Sequence, residues 1–189
     1  TPDTVIPFNG RSHTLYRSQI YKPVANRWTR YMTLKEAFGQ SVNTVFGRIG
    51  AFSVGAHSLN DYAKRFAFNR KIAADFPVDE SRAEIADDAD AYALAESASG
   101  FTRETRMSPL QGALIASAIV NDGRMMEPYI VDSVYTANGE KGYQAKPVLL
   151  SQAIDVNTAM GIRDLMRETI SSGTSRKSFR HFFRGSRSQ

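Results

Sequence analysis

The chain has 189 residues, of which 42% are apolar and 23% charged, a balance that suits one globular domain or a large piece of one and excludes bulk disorder. It contains no cysteine, so disulfides and thiolate metal sites are ruled out. The formal charge of +5 sits at one end: residues 174–189 hold five basic side chains (Arg176, Lys177, Arg180, Arg184, Arg187) and no acidic one, leaving 19 of each sign in the rest. A neutral body argues against a nucleic-acid partner.

The segment 1–31 is turn-rich and aromatic. Asn9-Gly10 lies between Val5-Ile6-Pro7-Phe8 and His13-Thr14-Leu15-Tyr16, which predicts a short hairpin or an ordered loop. Residues 33–173 read as a helical body. Thr33-Leu34-Lys35-Glu36 is a capping box that opens a helix carrying Leu34, Ala37 and Phe38. Gly39-Gln40-Ser41 breaks it, and a second helix restarts near Asn43, which can cap it. Ser58 is predicted to cap a third helix, with Leu59, Tyr62, Ala63 and Phe66 at helical spacing and an end near Asn69. Phe38, Phe46 and Phe66 are assigned to the core.

Asp75–Asp90 holds seven acidic residues against Arg82 and reads as a solvated loop; the ligand order of a calcium loop is missing. Ser108-Pro109-Leu110-Gln111 is a further capping box, and the helix after it is apolar all round, so burial on several sides is expected, with Gly112, Ala113 and Ala116 against close neighbours. Asn121-Asp122-Gly123 stops it. Tyr129–Tyr135 is rich in β-branched and aromatic residues and predicts a strand, Asn138-Gly139 a turn, and Val148–Leu150 a short extended piece. Asp155 caps the last helix, whose apolar face is Ala159, Ile162, Met166 and Ile170; Ser171-Ser172-Gly173 ends it. The basic tail 174–189 follows, with Phe179, Phe182 and Phe183 interleaved. The expected class is mostly α with a minor β component.

Phosphate-cradling glycine motifs, H-E-x-x-H and G-x-S-x-G are all missing, and His13, His57 and His181 show no metal-ligand spacing, so neither a metal nor a cofactor is expected. The most apolar stretch, Ala113–Val120, is far short of the roughly 20 residues that cross a bilayer, so a membrane anchor or secretion signal is expected outside this chain. Ser41-Val42-Asn43 stands out because it sits at a break between two helices. A hydroxyl that can relay a proton and an amide that both donates and accepts can project from such a turn into one cleft. Taken alone, S-x-N reads as a pair of cap residues.

The segment TLKEAFGQSVNTVFGRIG resembles the stretch around the S-x-N motif of penicillin-binding proteins, and LNDYAKRFAFN is similar to the family's next helix, with Phe68-Asn69 where an aromatic–Gly pair is usual. Ser99-Gly100-Phe101-Thr102, Met107-Ser108-Pro109-Leu110-Gln111, Asn121-Asp122-Gly123 and Pro128 follow in the family's order, and the helix leading into Gly173-Thr174 is similar to the one before its K-T-G strand. The resemblance implies the helical part of a β-lactamase-like α+β transpeptidase domain. It implies peptidoglycan stem peptides as substrates, β-lactams as ligands, and a site on the extracytoplasmic or periplasmic side of a bacterial membrane. On the matched motif, Ser41 would relay the proton toward the leaving amine and Asn43 would hydrogen-bond the substrate amide.

The family's signature is S-x-x-K, then S-x-N, then K-T-G. No serine here has lysine three positions on, and K-T-G is missing. The resemblance places the first before Thr1 and the second after Gln189, which favours a middle piece over a degenerate relative. A non-catalytic cell-wall binding or scaffolding module that kept the fold is the alternative; its basic–aromatic tail would then meet an anionic partner. Otherwise the tail leads into the next strand.

Overall fold

Local backbone signals account for most of the elements in the computed structural model, which describes residues 1–22 and 25–179. In chain order these are β1 (Val5–Phe8), α1 (Arg17–Tyr21), β2 (Arg30–Thr33), α2 (Leu34–Gly39), α3 (Asn43–Ile49), a π-helical segment (Gly50–Val54), α4 (Gly55–Arg65), α5 (Ala91–Ser99), α6 (Pro109–Val120), β3 (Arg124–Met126), β4 (Ser133–Tyr135), β5 (Lys141–Gln144), β6 (Leu149–Gln152), α7 (Val156–Ser171) and α8 (Arg176–Phe179). The strands form three antiparallel pairs, β1–β2, β3–β6 and β4–β5. The class is mostly α with a minor β component. The basic tail beyond Phe179 lies outside the described residues.

The chain divides into two compact units, one built from Thr1–Leu59, Ile85–Arg103 and the segment from Gly161 on, the other from Asn60–Glu84 and Glu104–Met160. In the first unit, β1 pairs with β2, Val5 opposite Thr33 and Phe8 opposite Arg30, and not with residues 13–16 as the Asn9-Gly10 signal predicts. Those residues are committed to opening α1. The Tyr16 N–H donates to Gln19 Oε1 at 2.7 Å, and Gln19 Nε2 donates to Thr14 Oγ1 at 3.1 Å. Phe8, Ala37, Val42 and Val45 form one buried cluster, with Phe46 packed against it; Leu15, Ile20 and Ala95 form another.

The capping box of α2 is present in both directions: Thr33 Oγ1 accepts from the Glu36 N–H at 3.1 Å, and Glu36 Oε2 accepts from the Thr33 N–H at 2.8 Å. Asn43 does not cap α3. It is the first helical residue, Val42 occupies the cap position without a side-chain bond, and the Asn43 N–H donates to the Ser12 carbonyl at 2.8 Å. Nor does Ser58 cap a helix, because Gly55, at φ +77°, makes the break three residues earlier and α4 runs from there. Asn69 is left-handed, at φ +58°. Helix α5 lies where the sequence reading assigns only the end of an acidic loop. Asp90 opens it by accepting from the Ala93 N–H at 2.8 Å.

In the second unit, Ser108 caps α6 through the Gln111 N–H at 3.1 Å, with Pro109 at the first helical position. The predicted return bond from Gln111 is replaced: Ser81 Oγ accepts the Ser108 N–H at 3.0 Å, while the buried Gln111 amide donates to the Phe66 carbonyl. Only one side of α6 is covered among the described residues. Leu114 and Ala118 are buried with Ala67, Ile72 and Met125, and Ile119 is also buried, whereas Ala113, Ala116 and Val120 are exposed, which corrects the expectation of burial on several sides. Phe66 packs against this cluster.

The predicted strand over residues 129–135 contracts to β4. Its first half is diverted by Asp75, whose carboxylate accepts from the Ile130 N–H at 3.0 Å and the Val131 N–H at 2.7 Å. Those two bonds also hold the Asp75 carboxyl below the usual carboxylate range, the one from Val131 most strongly. The Asn138-Gly139 turn joins β4 to β5 as predicted, with Gly139 at φ +82°. Asp155 opens α7 by accepting from the Thr158 N–H at 2.9 Å.

Candidate functional site

Ser41 stands where a helix end normally takes glycine. Its N–H donates to the Phe38 carbonyl at 3.1 Å and the Val42 N–H to the Ala37 carbonyl at 3.0 Å, the two bonds that close a Schellman motif, and its φ is +53°. A side chain in that region costs about 1 kcal/mol that glycine avoids. The same pair of bonds closes α4 around Ala67, at φ +62°. The turn places Ser41 and Asn43 on one cleft of about 320 Å³, at the small end of the range for ligand pockets.

All the lining residues belong to the first unit. Phe38 and Phe46 give it an aromatic wall, their rings edge-to-face with centroids 6.0 Å apart; both are half-buried, and Phe46 also packs against the core cluster of Phe8, Ala37, Val42 and Val45. Helix α5 contributes Ala98 and Ser99, α7 contributes Thr169, and the turn after it contributes Thr174. The S-x-N pair is thus brought together as the spacing implies, while Ser99, Thr169 and Thr174 are additions. Gly173-Thr174 reads in the sequence only as a helix terminus, and nothing local says that it faces Ser41.

A backbone clasp holds the two sides. The Thr174 N–H donates to the Gly39 carbonyl at 3.0 Å, and a Cβ on Gly173 would overlap that same carbonyl oxygen. A Cβ on Gly39 would lie 2.9 Å from Glu168 Cγ, so both glycines are required by close approach. Glu168 bonds the Ser172 hydroxyl and lies 3.5 Å from Lys35 Nζ. Ser172 first, and Lys35 after it, hold the Glu168 carboxyl below its ordinary range.

Among the described residues, no ionisable side chain lines the cleft. Thr44, one turn after Ser41, is fully buried and donates its hydroxyl to the Thr14 carbonyl at 3.2 Å, so it is no base for Ser41. The arrangement can hydrogen-bond an uncharged polar group beside an aromatic surface. It carries no activated nucleophile among the described residues.

The family profile described as the penicillin binding protein transpeptidase domain matches residues 7–182. The chain belongs to the penicillin-binding protein transpeptidase family. It is similar to Peptidoglycan D,D-transpeptidase PbpA of Mycolicibacterium smegmatis, 32% identical over 135 residues that make up 71% of this chain and 27% of that protein. The crystal structure of the D,D-transpeptidase domain of a peptidoglycan glycosyltransferase from Eggerthella lenta aligns with a TM-score of 0.71 at 33% identity, covering 91% of this chain and 44% of that one. Penicillin-binding protein A from M. tuberculosis, solved as an imipenem acyl-enzyme complex, aligns with a TM-score of 0.71 at 26% identity, over 93% of this chain and 39% of that one. The chain therefore spans less than half the length of these relatives, and its mostly helical content is that of the helical part of the penicillin-binding protein α+β fold. No described helix is long and apolar enough to cross a membrane.

Proposed function

We propose that this chain is part of a penicillin-binding D,D-transpeptidase that cross-links peptidoglycan stem peptides through an acyl-serine intermediate, with the nucleophile supplied by an S-x-x-K serine outside these 189 residues. The observation that carries this reading is Ser41. It is kept in a strained turn, its side chain makes no hydrogen bond among the described residues, and it shares one cleft with Asn43. In this role the Ser41 hydroxyl accepts the proton released by the attacking serine and passes it to the departing amine, while the Asn43 carboxamide holds the substrate amide in line. Neither residue forms the covalent bond. Support comes from the relative named as a D,D-transpeptidase and from the neighbour solved as an imipenem acyl-enzyme. On this reading the parent protein works on the extracytoplasmic face of the membrane, and β-lactams trap the same serine.

Labelling with fluorescent penicillin tests the assignment. The 189-residue chain is expected to take up no covalent label, because no serine in it has lysine at i+3. A protein carrying this sequence together with both flanking motifs is expected to label. Label at Ser41 in the short chain, mapped by intact mass and peptide digestion, would remove its assignment as a relay. A parent protein that has both motifs and stays unlabelled would hand the role to a non-catalytic cell-wall scaffold.

A further inference from the structure

The hydroxyl groups around the Ser41 cleft are not equivalent. Ser99 Oγ donates to the Ala95 carbonyl at 2.7 Å, and Thr169 Oγ1 donates to the Met166 carbonyl at 2.7 Å, so both are spent on their own helices. Thr174 is different. Its backbone N–H is committed to Gly39, yet its side chain makes no hydrogen bond among the described residues. Three uncommitted polar side chains thus line one cleft: Ser41, Asn43 and Thr174.

The clasp explains why Thr174 is placed and not merely nearby. Gly173 meets the Gly39 carbonyl with no room for a methyl group, so the spacing between Thr174 and the Ser41 turn is set by backbone against backbone. A hydroxyl both donates and accepts, as does the Asn43 carboxamide. A secondary amide, which presents one N–H and one C=O, is the group that such a pair satisfies.

We propose that Thr174 is a third ligand-contacting residue of the Ser41–Asn43 cleft, its hydroxyl hydrogen-bonding an amide of a D-alanyl peptide held against Asn43. The assignment rests on the transpeptidase reading and adds to it a residue about 130 positions from the S-x-N pair.

The test uses the ¹⁵N-labelled 189-residue chain titrated with N-acetyl-D-alanyl-D-alanine, followed by amide shifts, with Thr174→Val and Thr174→Ser beside the wild type. The amides of Ser41, Asn43 and Thr174 are expected to shift along one saturation curve. Thr174→Val, which keeps the backbone N–H and the side-chain shape, is expected to weaken binding about fivefold, and Thr174→Ser to restore it to within about twofold. If Ser41 and Asn43 shift while Thr174→Val binds as the wild type does, or while Thr174→Ser is as weak as Thr174→Val, the Thr174 assignment falls and the wider reading stands. If the wild type shows no shift at Ser41 or Asn43, the wider reading falls and takes Thr174 with it. Should Thr174→Val unfold, the wild-type Thr174 methyl resonance decides: no movement there while Ser41 shifts overturns the assignment.

Discussion

Helices α2 and α5 end in the same way and with different residues. In α5 the Gly100 N–H returns to Ser97 at 3.2 Å and the Phe101 N–H to Glu96 at 2.8 Å, with Gly100 at φ +68°. In α2 the equivalent bonds surround Ser41 at φ +53°. One end uses the residue that backbone geometry prefers. The other keeps a hydroxyl there at an energetic cost, on the wall of a cleft. On the transpeptidase reading the difference is one between a turn shaped by folding alone and one shaped also by what it presents, although α4 ends in the same motif with Ala67 at φ +62°.

Five substitutions, one of them read in an acid titration, sharpen that contrast. Gly173→Ala drives a methyl group into the Gly39 carbonyl and should have the largest effect, a loss of about 3 kcal/mol in chemical denaturation. A midpoint unchanged by it would mean that the clasp is not closed in solution. Gly100→Ala has open space around the new methyl group, so it isolates the conformational term and should cost about 1 kcal/mol. Ser41→Gly should run the other way, with a stability gain of about 0.5 kcal/mol and loss of dipeptide binding; a loss of stability instead would show that Ser41 is there for folding.

Acid acts on the same elements. Asp90 is held below the ordinary carboxylate range chiefly by the Ala93 N–H at the start of α5, and Glu168 chiefly by Ser172. Lowered folded-state values mean that the stabilisation is complete above the ordinary carboxylate range and fades as pH falls through the lowered values. Thermal midpoints should therefore drop on acidification, and Glu168→Gln should flatten part of that drop. The smallest change is expected for Ala116→Leu, which points away from the covered side of α6 and should shift stability by less than about 0.5 kcal/mol. A large loss there would mean that the outer side of α6 is covered in solution.

What could be read in the sequence was local. Thr33, Ser108 and Asp155 open their helices because a cap acts within three residues. Pairings across longer separations escaped. The turn signal at Asn9-Gly10 is genuine, yet β1 finds its partner at residues 30–33 because residues 13–16 serve α1. Ser81 displaces Gln111 from the capping box of α6 across 27 positions. Asp90 was hidden in an acidic run, although it is followed by the alanine-rich stretch that it caps. At the cleft, Ser41 and Asn43 were legible as a motif, whereas Thr174 depends on the meeting of two glycines far apart in the chain.

The Asp75 latch bears on how the protein behaves at high concentration. Tyr129, Ile130 and Val131 are 45%, 73% and 40% exposed, an apolar run of strong β preference on the surface. Left free, their amides would form an edge onto which a second chain could add a strand. The Asp75 carboxylate occupies two consecutive N–H groups of that edge and sets a negative charge beside it. A single acidic side chain therefore acts as a gatekeeper against intermolecular β-pairing, and aggregation on removing or protonating it should begin at this segment before it reaches the helices.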